Sequence, residues 1–190
     1  QEAQMEVWVQ DIYGKYILFN QYNVYAMSGE LGPKRMRGDA QVPEGFYYIN
    51  DFNPTSNYHL SLGINYPNKS DMILSHAEDK GGDIYIHGAR VSAGCIAMSN
   101  YYIEDIYIYS VKAHNHGQQK IPVQIFPFRM SETNMKKYNA LPMLKQYLPF
   151  WNNLQQGYKY FETYHKPALV NVDDNGAYQF TNTGTTAVTK

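Results

Sequence analysis

Apolar and polar side chains alternate over residues 5–9 (Met-Glu-Val-Trp-Val), and a run rich in Tyr, Ile, Leu and Phe fills 15–22, with Gly14 between them. Period-two patterning around a glycine predicts an opening β-hairpin. Strand-like composition returns at 46–49 and 58–64, separated by the Asn53-Pro54 turn signal, and again at 83–87, where Gly88 stops it. The period then changes. After Ser99, a candidate N-cap, Ile103, Ile106, Tyr107 and Ser110/Val111 fall on one helical face, with Glu104 and Asp105 near the positive end. A strand at 123–126 closes on Pro127. Ser131 caps a predicted short helix, and Trp151, Leu154, Tyr158 and Phe161 repeat at helical spacing, which reads as a core stripe. Segments 169–172 and 177–180 flank Asp173-Asp174-Asn175-Gly176, a second hairpin signal, before a Thr/Asn/Gly tail.

Between the first hairpin and the 46–49 strand, residues 28–45 hold four glycines and two prolines. They predict a long loop, and long ordered loops are often functional. No internal repeat is present. The expected class is mostly β with added helices (α+β). At roughly 150 residues per domain, 190 residues suggest one domain with an appendage: 5–130 as the main unit, 131–180 as a helical and hairpin extension packed on it, and 181–190 as a flexible tail.

Composition narrows the function classes. With 44% apolar and 17% charged residues the chain is not intrinsically disordered. Sixteen basic against seventeen acidic side chains argue against a nucleic-acid partner, which calls for a basic excess. No run of 18 apolar residues predicts a membrane span. The start at Gln1 lacks a basic-plus-apolar leader, so the chain is cytosolic or follows a removed one. Nineteen tyrosines suit a β-rich, polar-ligand-binding surface without naming a ligand. The single cysteine, Cys95, forbids an intrachain disulfide and leaves an inert, an intermolecular or a reactive thiol.

The reactive fate has a local setting. A thiol becomes a strong nucleophile as thiolate, and an imidazole can take its proton. His87 lies eight residues before Cys95, up to about 27 Å away if the chain is extended. The two meet only if the chain turns back, and Gly88 and Gly94 stand where a turn needs them. Gly94 also admits a substrate carbonyl close to the backbone, so the amides of Gly94 and Cys95 are candidate oxyanion donors.

His87-Gly88 followed by Ser92-Ala93-Gly94-Cys95-Ile96-Ala97-Met98 resembles the active-site signature of the L,D-transpeptidase (YkuD-type) catalytic domain, in particular its YafK-like branch. The resemblance extends to residues 28–35 (Ser-Gly-Glu-Leu-Gly-Pro-Lys-Arg), Gly38-Asp39, residues 41–47, 58–62 and 122–128. It spans roughly residues 5–165. It implies a β-sandwich or barrel catalytic domain without a cofactor or metal. Cys95 would be a nucleophile acylated at the L-centre of a diamino acid in peptidoglycan stem peptides, and His87 its base, held by the carbonyl of Gly88 or Ala89. Export to the periplasm or cell envelope follows from that substrate. Two departures stand out: Ala93 replaces the family's histidine before Gly-Cys, and Ala97 replaces an arginine common two residues after the cysteine. The short interval between His87 and Cys95 is itself like the YafK-like branch, which is associated with hydrolysis as well as transfer. Two alternatives therefore accompany the transpeptidase reading: a hydrolase of the same family (L,D-carboxypeptidase or amidase) and a non-catalytic wall-binding module.

Further substrate-binding candidates are Arg90, between His87 and Cys95, with Lys34 and Arg35 as partners for stem-peptide carboxylates, Ser92 within the loop, and Tyr48 beside Tyr47 on a groove. Arg37 reads as solvated surface. His114-Asn115-His116 reads as a solvated loop rather than a metal site. The sequence does not fix the oligomeric state.

Overall fold

A computed structural model describes residues 2–181. The opening hairpin forms as expected: β1 (Gln4–Gln10) pairs antiparallel with β2 (Tyr16–Asn23), and Gly14 turns between them at φ +78. The central sheet has five strands in the order β6-β5-β4-β3-β7. In it β3 (Gly45–Asn53) lies antiparallel to β4 (Ser61–Ile64) and to β7 (Pro122–Ile125), β5 (Tyr85–His87) antiparallel to β4, and β6 (Ile96–Ala97) parallel to β5. Side chains alternate across a strand. On β3, Tyr47 and Ile49 accordingly enter a core with Leu62, Ile64, Ile86, Ile96 and Met98.

That core is closed by α2 (Asn100–Asn115), whose Ile103, Ile106 and Ser110 are buried as the periodicity predicts. The Ser99 hydroxyl accepts from the Tyr102 amide at its N-terminus. On the other face of β3, Phe46 packs with Phe126, Tyr178 and Phe180 against a second core of Phe128, Met130, Met135, Leu144, Trp151 and Leu154. This second core draws on α3 (Glu132–Asn139), a 3-10 turn (Pro142–Tyr147), α4 (Leu148–Tyr164) and the hairpin of β8 (Leu169–Val172) and β9 (Tyr178–Thr181). Ser131 caps α3 by accepting from the Asn134 amide. Trp151 is fully buried; removing about 200 Å² of indole from water contributes roughly 5 kcal/mol before entropy is counted. The fold is α+β, with helices added to a curled sheet.

Some elements differ from the pattern. Strand β4 begins at Ser61 rather than 58, because His59 takes φ +76 and its amide bonds back to the Ser56 carbonyl. Strand β5 begins at Tyr85, since Asp83 sits at φ +55. The six-residue α1 (Lys69–Leu74) and two-residue β6 are too short to show a period. A reciprocal capping box between Asn68 and Asp71 nucleates α1. His114 lies in α2 and His116 caps its C-terminus, so neither is in the loop expected for them. Of the expected tail, Thr181 ends β9 and residues 182–190 lie outside the described residues.

Candidate active site

Strands β5 and β6 run parallel as neighbours, with Ile86 opposite Ile96 and His87 opposite Ala97. The chain between them, residues 88–95, must therefore loop out and return to the side of the strand it left. Cys95 stands at the point of return, where the Tyr85 amide donates to its Sγ at 3.4 Å and the thiol points to the Asp83 carbonyl at 3.6 Å. Tyr85 and His87 are two residues apart on β5, so their side chains share a face, about 6.7 Å from one another along the strand. The loop thus returns the sulfur to the stretch of strand that carries the imidazole.

Hydrogen bonds hold this loop along its length. The Gly88 amide donates to the Leu60 carbonyl at 3.1 Å and the Ala89 amide to Asn100 Oδ1 at 2.8 Å. Ser92 Oγ donates to the Cys95 carbonyl at 2.5 Å. The Gly94 amide donates to Ser28 Oγ at 2.7 Å, and that hydroxyl donates on to the Ala40 carbonyl at 2.7 Å. Glycine is required twice. A Cβ on Gly88 would stand 2.5 Å from the Tyr58 carbonyl oxygen, and Gly94 adopts φ +99 with the Gln41 carbonyl 3.1 Å from where its Cβ would be.

His87 is buried, and its Nδ1 lies 2.5 Å from the Gly88 carbonyl oxygen. A carbonyl only accepts, so Nδ1 carries the hydrogen and, in the neutral ring, Nε2 carries the lone pair. The Tyr58 ring packs against the imidazole, its centroid 4.7 Å away and its plane tilted by 37°. Burial lowers the His87 pKa, against a smaller opposing effect of the Gly88 carbonyl. Burial also raises the Cys95 pKa; the Tyr85 amide and the Lys34 charge pull it down, and the Asp83 charge adds to the rise. Both groups are therefore neutral near pH 7, an arrangement suited to proton transfer during attack rather than to a standing ion pair.

A cavity of about 510 Å³ contains His87 and Cys95, with Ser92, Tyr58 and Asp83 in its walls. A larger space of about 760 Å³ lies between the hairpin and the central sheet, lined by core side chains such as Val7, Ile49 and Ile125, and holds neither group.

Of the residues singled out by sequence, the structure brings together Cys95, His87 and Ser92 around the cavity, with Gly88 and Gly94 at the loop's turns. Four others stand outside its lining. Lys34 is buried in an ion pair with Asp39 at 2.6 Å; Arg35 bonds Asp71 at 3.1 Å and lies over the Phe150 ring; the Arg90 guanidinium lies over Tyr25; and Tyr48 packs under Lys120. Arg37 pairs with Asp79 on the surface. The Gly94 amide, expected as an oxyanion donor, is engaged by Ser28. Sequence reasoning gave no role to Tyr58, Asp83 or Ser28: Tyr58 and Ser28 lie in segments that carry the resemblance, and Ser28 in the flagged 28–45 loop, but nothing singled either out, one tyrosine among 19 least of all. Among the described residues no group of three His, Cys, Asp or Glu side chains could hold a metal, and no helix is long and apolar enough to cross a membrane.

The family model of the L,D-transpeptidase catalytic domain (YkuD) matches residues 12–125. The chain is 38% identical over 174 residues to the protein named "Putative L,D-transpeptidase YafK" of Escherichia coli (strain K12), a match covering 88% of this chain and 68% of that protein. The protein of the same name from Escherichia coli O157:H7 matches equally. Among solved structures, the helical cell shape determining protein Pgp2 from Campylobacter jejuni superposes with a TM-score of 0.51 at 18% identity, over 91% of this chain and 70% of that one, a likeness of fold.

Proposed function

Because the chain belongs to the L,D-transpeptidase (YkuD) catalytic domain family, we propose that it is a peptidoglycan-modifying enzyme of the cell envelope, with Cys95 as nucleophile and His87 as its base. The observation that carries this reading is the His87 Nδ1 to Gly88 carbonyl bond at 2.5 Å, in the cavity that also holds the Cys95 sulfur. It leaves Nε2 as the proton acceptor, the tautomer that general-base catalysis needs.

The thiol gives its proton to Nε2 as sulfur attacks the carbonyl on the L-centre of a stem-peptide diamino acid. The tetrahedral oxyanion takes a hydrogen bond from the Cys95 amide, since Ser28 engages that of Gly94. Collapse returns the proton from the imidazolium to the departing amine, D-alanine or a linked amine, and leaves a thioester. An amine acceptor then gives a crosslink and water gives cleavage, so the nucleophile is common to transfer and hydrolysis. No step requires a metal or cofactor. Incubation with a defined tetrapeptide muropeptide, with and without an amine acceptor, tests the reading by mass spectrometry. Products that disappear in Cys95→Ala are expected; identical product profiles for the two proteins would refute it.

A further inference from the structure

The basic side chains that a carboxylate-gripping site would use are committed elsewhere, as described above. Among the described residues, Asp83 is the one formally charged side chain in the cavity lining. Asp83 is exposed, and its carboxylate makes no ion pair or hydrogen bond among the described residues; the nearby Arg37, which feels its charge, is paired with Asp79. Its backbone holds φ +55, a left-handed conformation in which Asp and Asn are enriched among non-glycine residues. The same residue offers its carbonyl to the Cys95 thiol at 3.6 Å. Burial is the main cause of the raised pKa of both Cys95 and Tyr85, and the Asp83 charge adds to the rise at each. The Lys34 charge reaches the sulfur from outside the lining, but within the lining this carboxylate faces no cationic side chain, so the cavity wall around it favours cations over anions.

We propose that the cavity holding Cys95 is a subsite for a primary ammonium group of the substrate, with Asp83 as its counter-charge. This deepens the function proposed above, on which it rests for the identity of the substrate. Burial remains the main cause of the raised Cys95 pKa, and an ammonium seated on Asp83 offsets only the smaller contribution of that carboxylate.

Charged thiol reagents test the subsite without turnover. Cys95 is modified with a cationic and an anionic methanethiosulfonate of similar size; the ratio of their rates cancels any change in thiolate fraction. Asp83→Asn keeps the shape and the left-handed backbone and is expected to lower the cation-to-anion ratio at least threefold. Asp51→Asn, at an exposed carboxylate whose charge reaches Tyr85 from outside the cavity lining, leaves it unchanged. In a second arm, a stem-type peptide with a free side-chain ammonium protects Cys95 from iodoacetamide better than its N-acetylated form, up to about fivefold for one exposed ion pair, and Asp83→Asn abolishes the difference. Repeating this arm with an alkylamine distinguishes the source: protection by the peptide alone assigns the ammonium to the donor, and protection by the amine alone assigns it to the acceptor. A ratio unmoved by Asp83→Asn, or a preference for the free ammonium that survives it, overturns the proposal. Neither arm needs product. A wild type that forms none yet shows both effects loses the proposed function and keeps the subsite; one that forms product without them does the reverse.

Discussion

Ser28→Ala is the sharpest probe of how the 28–45 loop serves the nucleophile. The Ser28 hydroxyl accepts from the Gly94 amide and donates to the Ala40 carbonyl, each at 2.7 Å, and the substitution removes both bonds at a part-buried position. At about 0.5–1.5 kcal/mol net per neutral hydrogen bond, the loss is about 1–3 kcal/mol. For a chain of this length that lowers Tm by roughly 2–4 °C per kcal/mol. The kinetic loss is expected to be larger. Gly94 precedes the nucleophile at φ +99, and freeing its amide lets the Cys95 turn relax; a shift on the order of 1 Å at a reacting atom costs about a hundredfold in rate. Thermal unfolding followed by circular dichroism, together with product formation from a tetrapeptide muropeptide, measures both. Ser28→Thr keeps the hydroxyl and is expected to restore most of the rate. A Ser28→Ala protein with a lowered Tm and wild-type kcat and KM would show that the bond serves folding alone.

Three further outcomes follow from the geometry. Alkylation of Cys95 by iodoacetamide against pH is expected to show one step, above the usual thiol range and with no acid-side plateau, because burial keeps thiol and imidazole neutral; a plateau persisting below pH 6 would mean a standing thiolate–imidazolium pair. Glu44, pushed up to about 7 by burial despite bonds from the Trp151 indole and the Gly32 amide, makes stability depend on pH. Its folded pKa lies above the unfolded value of about 4.3, so its contribution is complete below pH 4 and is lost as pH rises through 7; Glu44→Gln should flatten the fall in Tm between pH 5 and 8, and an unchanged slope would contradict this. Gly88→Ala places a Cβ 2.5 Å from the Tyr58 carbonyl oxygen and is expected to cost about 1–3 kcal/mol, whereas Gly82→Ala, with open space at its Cβ, should be neutral in the same urea titration.

Much of the architecture was legible because it repeats. Both hairpins carry period-two runs around glycine, and the stripes of α2 and α4 carry four or more apolar positions at helical spacing. Strand β6, two residues long, and helix α1, six, were not legible because neither repeats its period often enough to show it; pairing with β5 and a capping box define them instead. At the site, Cys95, His87 and their glycines could be found because their chemistry is rare in this chain. The partners of the loop could not. Ser28 meets Gly94 across 66 positions, and Tyr58 reaches His87 through a turn that depends on a positive φ at His59; no local pattern encodes either contact. Lys34 and Arg35 show the converse: charged residues offered as substrate contacts are spent on internal carboxylates, Asp39 five positions on and Asp71, which only the fold brings near.

Strand β3 gives alternate side chains to two separate cores, Tyr47 and Ile49 to one and Phe46 to the other. It therefore acts as a party wall: each compartment can be refurnished by substitution so long as the shared face keeps its shape. His87 alternates with Ile86, which lies in the first core, so its imidazole leaves the sheet by the opposite face; α3, α4 and the last hairpin build the second core, with the indole of Trp151 bonded across to Glu44 just before the wall begins. A substitution that refills the second core without moving Phe46 is therefore expected to leave in place the first core and the Ile86 and Ile96 that anchor the two ends of the cysteine loop in it.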